Sequence, residues 1–502
     1  MAELKAAKFV DFKQGIQSDT DDYANGVDFM SGVNFTKDPN VFRSNVRMSV
    51  MTEAAATDDI TTLITQFAMY NEGAGAIMYG IGGQKIYGLS AFTSGTWTRL
   101  HTDGNSVSNG SIAVFGTNLY WSSNAKLGKY VGSTTTWTDS FKDLAVNDGS
   151  YHPLVNFAGK LMVGAGRYVA TLDADGTTWD DTALTLPLNS RIFDMKVWND
   201  RIAILVDVLT GKRVTKIYFW DGSSDTYNEE VTIDEPTPRA LVDYFNHLMV
   251  FNRDGRIFEY DGASLNLVRS LPNVSPETGA SLTVNPGGIT IHNNDLLFGL
   301  TGTNSDFKDG VWAFSRLDVT HPIALNYHTP TSNRNQTDTI GAVFAASSGD
   351  LYLAWQSGAA YGVDVSNANN YLLSSWAAGP THTPLSYIDT VHHSLGDRLQ
   401  DVVIMGVEVH VAEKPAVVGL STGLDSTVTI FTNPDKSGTY TEQDILYELN
   451  TWDKVHWFST PVECRSMQLR LSLSNPVAGA GETNIRGYTI YYQERGPLFA
   501  RE

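Results

Sequence analysis

The sequence predicts an all-β protein: a β-propeller of about seven blades, a C-terminal β-sandwich of jelly-roll type and an extended N-terminal arm. Three observations carry that expectation. Short apolar runs recur at a spacing of about 40 residues, the size of one propeller blade. Clusters of Gly, Asn, Asp, Ser and Thr separate those runs, as tight turns require. Helical periodicity is almost absent, and Asp59 to Tyr70 (DITTLITQFAMY) is the best short helical candidate. The expected boundaries are residues 1–70 for the arm, 71–390 for the propeller and 391–502 for the sandwich.

The arm holds an acidic run, Asp19-Thr-Asp-Asp22, and no apolar pattern that would give it a core of its own. A segment of this kind gains order only from a surface supplied elsewhere. The repeats begin near Gly75 and run to about Ile388. In each copy a turn leads into an apolar strand, such as Lys160-Leu-Met-Val-Gly or His247-Leu-Met-Val-Phe. A second turn then leads into a strand ending in an aromatic residue, and Asp-Gly or Gly-Thr-Thr reverses the chain again. Trp97, Trp137 and Trp179 fall in one slot of this grammar, 40 and 42 residues apart, with Tyr227 and Leu265 continuing the series. Each Trp is expected to be largely buried at a blade corner.

Past His392 the strands lengthen. Asp401 to Val411, Ser426 to Phe431, Met467 to Leu473 and Ile485 to Tyr492 include runs that alternate apolar and polar residues, the pattern of a sheet with one buried face.

Composition narrows the functional classes. The chain has 502 residues, 42% of them apolar and only 18% charged, with 44 glycines and 11% aromatics. The single Cys464 excludes an intramolecular disulfide and a thiolate metal cluster. A net charge of −20 opposes a surface that grips nucleic acid through its phosphates. It is compatible with a wall that nucleic acid slides past. The opening MAELKAAKFVDFKQ lacks an apolar stretch of signal-peptide length, so ordinary secretion is not expected. No run of about 18 apolar residues is present to span a membrane. The sequons at Asn34, Asn109, Asn273 and Asn335 therefore carry little weight.

The motifs that could carry chemistry each have a structural alternative. Asp173-Ala-Asp-Gly-Thr-Thr-Trp179 almost spells the Asp-box turn of sialidase propellers, but neither Asp173 nor Asp175 stands two residues before Gly176. A turn that favours Asp-Gly explains it better. Sialidases also use clustered arginines. Arg191, Arg201, Arg213, Arg239, Arg253 and Arg256 lie in the middle repeats, with no repeated slot evident. His392-His393, with His382 upstream, could ligate a metal, yet no carboxylate or thiol stands at ligand spacing, and a solvated linker is the expectation. The Asp19, Asp21 and Asp22 run resembles a calcium loop, with Gly26 misplaced and no bidentate Glu following. Trp452, Trp457 and the pair Tyr491-Tyr492 could present an aromatic platform to a sugar; burial on the inner face of an alternating strand is the expectation. No catalytic, cofactor-binding or metal-binding residue is therefore assigned, and no cofactor is expected.

The segment Gly32-Val-Asn-Phe-Thr-Lys-Asp-Pro-Asn-Val-Phe-Arg-Ser-Asn-Val resembles the opening of many tailed-phage tail proteins, in which a propeller follows. The closing strands, Met467 to Leu473 and Ile485 to Gln493, are similar to those that end such proteins. The resemblance, to nozzle and tube-associated propeller subunits of phage tails, covers most of the chain. It implies a non-enzymatic structural protein of the virion that forms a symmetric oligomer with other tail proteins and is assembled in the host cytoplasm. Genome DNA would pass nearby without specific binding. An acidic wall suits such a conduit, because it repels the DNA backbone. A host-glycan-binding virion protein is the alternative expectation, and a sialidase-like hydrolase a third.

Overall fold

The computed structural model describes residues 4–10, 27–31, 33–34, 42–44, 46–51, 59–71, 76–92, 94–105, 110–146, 151–271, 283–302, 309–315, 324–329, 331–332, 338–371, 387–390, 392–395, 401–411, 427–435, 437–447, 455–474 and 484–495. These residues form strands and turns, with two short 3-10 turns at Gly132–Thr134 and Pro286–Gly288. The strands are numbered in chain order. The chain divides into two compact units. The larger comprises Met48–Val311 and Pro330–Ser366; the other comprises Met1–Arg47, Trp312–Thr329 and Asn367–Glu502.

In the larger unit, consecutive strands fold back as antiparallel four-stranded sheets. The first sheet is β6 (Gln66–Met69), β7 (Met78–Gly82), β8 (Lys85–Leu89) and β9 (Trp97–Thr102). The second is β10 (Ile112–Phe115), β11 (Asn118–Ser123), β12 (Lys126–Val131) and β13 (Thr136–Asp143). The third is β14 (Leu154–Phe157), β15 (Lys160–Ala165), β16 (Tyr168–Asp173) and β17 (Trp179–Thr185). The fourth is β18 (Ser190–Trp198), β19 (Arg201–Val208), β20 (Thr215–Trp220) and β21 (Glu229–Ile233). The fifth is β22 (Pro238–Tyr244), β23 (His247–Asn252), β24 (Arg256–Tyr260) and β25 (Leu265–Ser270). A sixth begins with β26 (Ile289–His292), paired with β27 (Asp295–Leu300), and the division between the units falls inside β28 (Gly310–Ser315). The last is β30 (Thr339–Ala345), β31 (Leu351–Ser357) and β32 (Ala360–Tyr371), and its fourth strand is β5 (Val46–Val50) from far upstream.

The strand sequences explain this arrangement. The second strand of each sheet reads as a nearly continuous apolar run and is buried on both faces, as in Met78–Gly82 or Asp295–Leu300. Fourth strands such as Thr136–Asp143 and Leu265–Ser270 are more polar and more exposed. A strand with neighbours on both edges and a sheet on both faces has no contact with water, so alternation is lost. The hydrophobic cores accordingly lie between successive sheets. Tyr79 and Ile81 pack with Leu119 and Trp121, Leu127 with Leu161 and Leu172, Met162 and Val169 with Ile204 and Tyr218, and Phe219 with Leu241 and Leu248. A further core joins Met78, Tyr87 and Trp97 of the first sheet to Tyr352 and Val363 of the last. First strands touch in order, β6 with β10, β10 with β14, β14 with β18, and β18 with β22. The turn Pro286–Gly288 touches β22, β30 and β6, while β30 touches both β26 and β6.

Four first-to-second hairpins use two-residue turns with both residues left-handed: Ala158-Gly159, Asn199-Asp200, Phe245-Asn246 and Asn293-Asn294. Such turns match the twist of the flanking strands.

The other unit has two sheets. In one, β34 (Val402–Val411) lies between β37 (Val455–Cys464) and β39 (Asn484–Glu494). The far edge of β39 pairs with β1 (Leu4–Val10) and with β4 (Phe42–Ser44), which pairs with β3 (Val33–Asn34). The second sheet runs β29 (Ala324–Thr329), β2 (Val27–Ser31), β33 (Tyr387–Thr390), β38 (Met467–Ser474), β35 (Thr427–Pro434) and β36 (Thr441–Tyr447).

Several expectations require correction. The described residues before 51 are strands of these sheets, and the two compact units do not divide the chain at 70 and 390. The pairing partners of β1 and β5 lie hundreds of residues away, and a linear reading does not find them. The segment Asp59 to Tyr70 is not helical: Gln66–Met69 is a strand, and the residues before it are irregular. Its backbone is claimed from both sides, Thr65 N–H donating to Ile81 C=O and Ala342 N–H donating to Ile64 C=O. Trp97, Trp137 and Trp179 do stand at or next to the start of the fourth strand in three successive sheets, paired with Leu89, Tyr130 and Leu172. Only Trp97 is fully buried; Trp137 and Trp179 are half-buried, packed against the core between the first and second sheets and that between the second and third.

Candidate functional site

The starts of the first strands enclose a cavity of about 300 Å³ in the larger unit. Its lining includes Arg191 and Arg239, with Tyr151, Phe193, Thr65, Thr283 and Asn285. Arg191 and Arg239 occupy equivalent places in β18 and β22. Each follows by two positions a residue in the left-handed conformation, Asn189 at φ 65° and Thr237 at φ 61°. Each strand then carries a bulge, the register shifting between Ile192 and Asp194 and between Pro238 and Ala240. A bulge re-aims the side chains around it. Asp194 fixes the two strands to each other, since its carboxylate accepts from Leu241 N–H at 3.0 Å and from Met195 N–H at 2.9 Å. Burial pushes the Asp194 pKa up.

Two arginines line the cavity, each with acidic neighbours. Arg191 donates to Asp207 Oδ2 at 3.1 Å, and Arg213 stands 3.9 Å from the same oxygen. Burial lowers the Arg239 pKa, and Arg253 lowers it further, while Asp207 and Asp254 act the other way. The other candidate arginines are engaged elsewhere: Arg201 with Glu229 at 2.8 Å and Arg256 with Glu235. The sequence does contain a signal for the pair, because Asn-Ser-Arg and Thr-Pro-Arg precede apolar strands 48 residues apart.

The Asp-Gly motif proves to be a repeated hairpin cap. Asp175 Oδ1 accepts from the backbone N–H groups of Thr177 and Thr178, both at 2.8 Å, and Oδ2 accepts from the Thr178 hydroxyl at 2.6 Å. Asp221 does the same with Ser223 and Ser224, and Asp261 with Ala263 and Ser264. The following glycines, Gly176, Gly222 and Gly262, have positive φ. The Thr178 hydroxyl, then the backbone donors, holds Asp175 far below the ordinary carboxylate range, and the Ser224 hydroxyl does so for Asp221. The backbone N–H of Ser264 leads in drawing Asp261 down to about 2. These carboxylates stay ionised to close third-to-fourth hairpins. The shared pattern is Asp-Gly-x-Ser/Thr rather than the Asp box.

A second group of carboxylates is buried. Asp364 accepts from the Ser332 hydroxyl and backbone N–H, both at 2.6 Å, and from Trp355 Nε1 at 2.8 Å. Asp338 accepts from the Thr331 hydroxyl at 2.6 Å, and Asp309 accepts from Gly302 N–H at 2.6 Å. Burial, with Asp338 nearby, raises Asp309 to about 7, and burial raises Asp364 to about 6 against those hydrogen bonds. Among the described residues no group of three or more His, Cys, Asp or Glu has the geometry to hold a metal ion.

In the other unit, His393 is a core residue rather than part of a solvated linker. Its Nε2 lies 2.6 Å from the Tyr488 hydroxyl and its ring stacks on Phe9 at 3.9 Å. Burial draws its pKa down to about 3, so it is neutral. Trp457 is 53% exposed, against the expectation of burial. It stands beside Tyr491, ring centroids 5.6 Å apart, and Gly406 lies opposite both residues in the register. Tyr491 donates to Glu408 at 2.8 Å. Cys464 is buried and its thiol is pushed up to about 12 by burial. The expectations for Asp19, Asp21, Asp22, Gly26, His382, Trp452 and the sequons at Asn109, Asn273 and Asn335 fall outside the described residues.

No family model matches the chain, and no curated protein matches it. Among solved structures, the extracellular domain of BT4673 from B. thetaiotaomicron is similar over 82% of this chain and 48% of that one, with 11% identity and a TM-score of 0.46. A second structure of the BT4673 extracellular domain gives 12% identity and a TM-score of 0.45, covering 74% of this chain and 43% of that one. The computationally designed Ika8 protein gives 10% identity and a TM-score of 0.40, covering 64% of this chain and 99% of that one. The chain thus spans less than half the length of the BT4673 domain. Among the described residues no helix is long and apolar enough to cross a membrane.

Proposed function

We propose that the larger unit is a seven-bladed β-propeller, that the other unit is a jelly-roll-like β-sandwich, and that the chain is a non-enzymatic structural component of a phage tail. In this reading it is a nozzle, tube or hub-associated subunit, acting as a symmetric oligomer in the virion. The observation that supports it most is closure. Strand β5 supplies the fourth strand of the last sheet, with Met51 N–H donating to Val363 C=O at 2.9 Å, and a shared core joins the last sheet to the first. A closed set of sheets has few free edges, so association falls to loops and to the other unit. Asp175, Asp194 and Asp364, whose pKa values are displaced, are bound into a hairpin, an inter-sheet link and an indole contact, which are architectural roles.

The net charge of −20 fits a DNA conduit. Imaging of the purified full-length chain and of particles that contain it tests the proposal. Ring-shaped oligomers at one level of a tail are expected. A chain absent from particles, or one that turns over any member of a glycan panel, would overturn it. The second reading, attachment to a host glycan, is favoured by the exposed Trp457 beside Tyr491. In that case Trp457→Ala should abolish binding on a glycan array without changing the melting temperature.

A further inference from the structure

We propose that the outer face of the sheet formed by β1, β39, β34 and β37 binds one uncharged hexose unit of a glycan, stacked on Trp457. This assignment deepens the glycan-attachment reading, on which it rests, by naming the class of sugar.

The register lays out that face in rows. Ile404, Val407, Tyr488 and Ile490 are buried on the inner side, so the residues that alternate with them face outward. One outward row crosses the sheet as Trp457, Gly406, Tyr491 and Ala6. Trp457 is 53% exposed, and its neighbour on the central strand has no side chain to cover the indole. The glycine is fixed there by the backbone, because a Cβ on Gly406 would fall 2.4 Å from the His456 carbonyl oxygen. The Tyr491 ring stands 5.6 Å away and tilts by 56°, so the two rings form a corner rather than a plane. A corner receives one sugar ring, not a flat run of several.

The flanking rows are polar. On one side Glu408, Thr489 and Lys8 stand abreast, and on the other Val403 lies between Gln493 and Glu463. A pyranose has the matching layout, with C–H bonds on one face and hydroxyl groups around its rim. The C–H face packs on the negative face of an indole, and the rim donates to carboxylate and amide oxygens. A protein partner would call for a broad contiguous apolar patch instead of a single aromatic row between polar ones.

Charge selects the class. Glu408 accepts from the Tyr491 hydroxyl at 2.8 Å through one oxygen, with His410 Nδ1 4.0 Å from the other. Thr489 separates Glu408 from Lys8, so the two opposite charges of that row lie close together. In the other row Glu463 is paired with Arg495 at 2.6 Å. The face therefore offers no cluster of positive charge to an acidic sugar, in a chain whose net charge is already −20.

Saturation-transfer NMR on the full chain tests this with methyl β-glucoside, methyl β-galactoside, glucuronate and N-acetylneuraminate as probes. Transfer to the ring C–H protons of at least one methyl glycoside, and none to either acid, is expected. Trp457→Ala should weaken that binding about tenfold or more, whereas Trp457→Phe, which keeps an aromatic face, should retain it. Both variants should melt with the wild type, since the indole is on the exposed side of the sheet. Unchanged binding in Trp457→Ala would overturn the proposal. Binding of the acids alone would overturn the uncharged class and leave glycan attachment standing. No transfer to any probe would also overturn it, and glycan attachment would then stand or fall on the array.

Discussion

Asp309 and Asp364 are carboxyl groups that the fold keeps largely from water, and both are pushed up, to about 7 and about 6, with burial the leading cause. An ordinary unfolded aspartate titrates near 3.9. Between about pH 4 and pH 7 the unfolded chain has therefore released protons that the folded chain retains. Their contribution to stability is greatest below about pH 4 and falls as pH rises towards 7. Asp309→Asn keeps the acceptor for Gly302 N–H and removes the ionisation. The variant should gain stability relative to wild type at pH 8 and show little gain at pH 4, read as melting temperature across that range. Asp175, Asp221 and Asp261 run the other way. Their ionised forms close hairpins, so their contribution is present above about pH 4 and lost as pH falls below it. At this scale the sequence was half legible. The Asp-Gly turns could be read from their own four residues. The burial of Asp309, Asp338 and Asp364 could not, because it depends on neighbours distant in the chain.

The elements show the same limit from another side. Second strands are readable as apolar runs because a doubly covered strand must be apolar throughout. The repeat of Trp97, Trp137 and Trp179 is real in position, yet burial differs, since only Trp97 has Tyr87, Phe67 and Ile64 around it in one core. Trp97→Ala should cost about 3–5 kcal/mol, and Trp179→Ala clearly less, by denaturant unfolding. A pairing that no single strand reveals is the flat contact between an indole and a glycine on the next strand. Trp121 lies opposite Gly128, and Trp355 lies opposite Gly362. A Cβ on Gly128 would fall 2.1 Å from the Trp121 ring, and one on Gly362 would fall 2.5 Å from the Trp355 ring. The indoles are held in place by Nε1–H donation to Asp103 at 2.6 Å and to Asp364 at 2.8 Å, so neither ring is free to yield. Gly128→Ala and Gly362→Ala should each cost about 1–3 kcal/mol or more by overpacking, measured in the same way. Equal stability in either variant would remove the indole–glycine contact from the account.

On the scale of the molecule, the two units divide the N-terminal residues between them, and this makes a prediction that separates the units. Residues before Arg47 contribute β1 and β4 to the sheet of β39, while β5 serves the last sheet of the larger unit. The strands before Arg47 escape a linear reading because they are short and their partners lie far along the chain. Strand β1 pairs with β39 from Leu4↔Gln493 to Val10↔Gly487, a contact of the longest range the chain allows. Removing residues 1–40 should strip the open edge of β39 and leave β5 in place. The larger unit should then keep its melting transition, and only a transition belonging to the other unit should shift downward. Removing residues 1–51 takes away β5 as well, together with Met51 and its hydrogen bond to Val363. It leaves β32 as an exposed edge and opens the core between the first and last sheets, where Met51 packs. The larger unit should then melt at markedly lower temperature, with faster hydrogen exchange concentrated in β30 to β32 and β6 to β9. Calorimetry of the two truncations with exchange mapping checks this. If residues 41–51 make no difference to the larger unit, closure by β5 is not what holds its ends together.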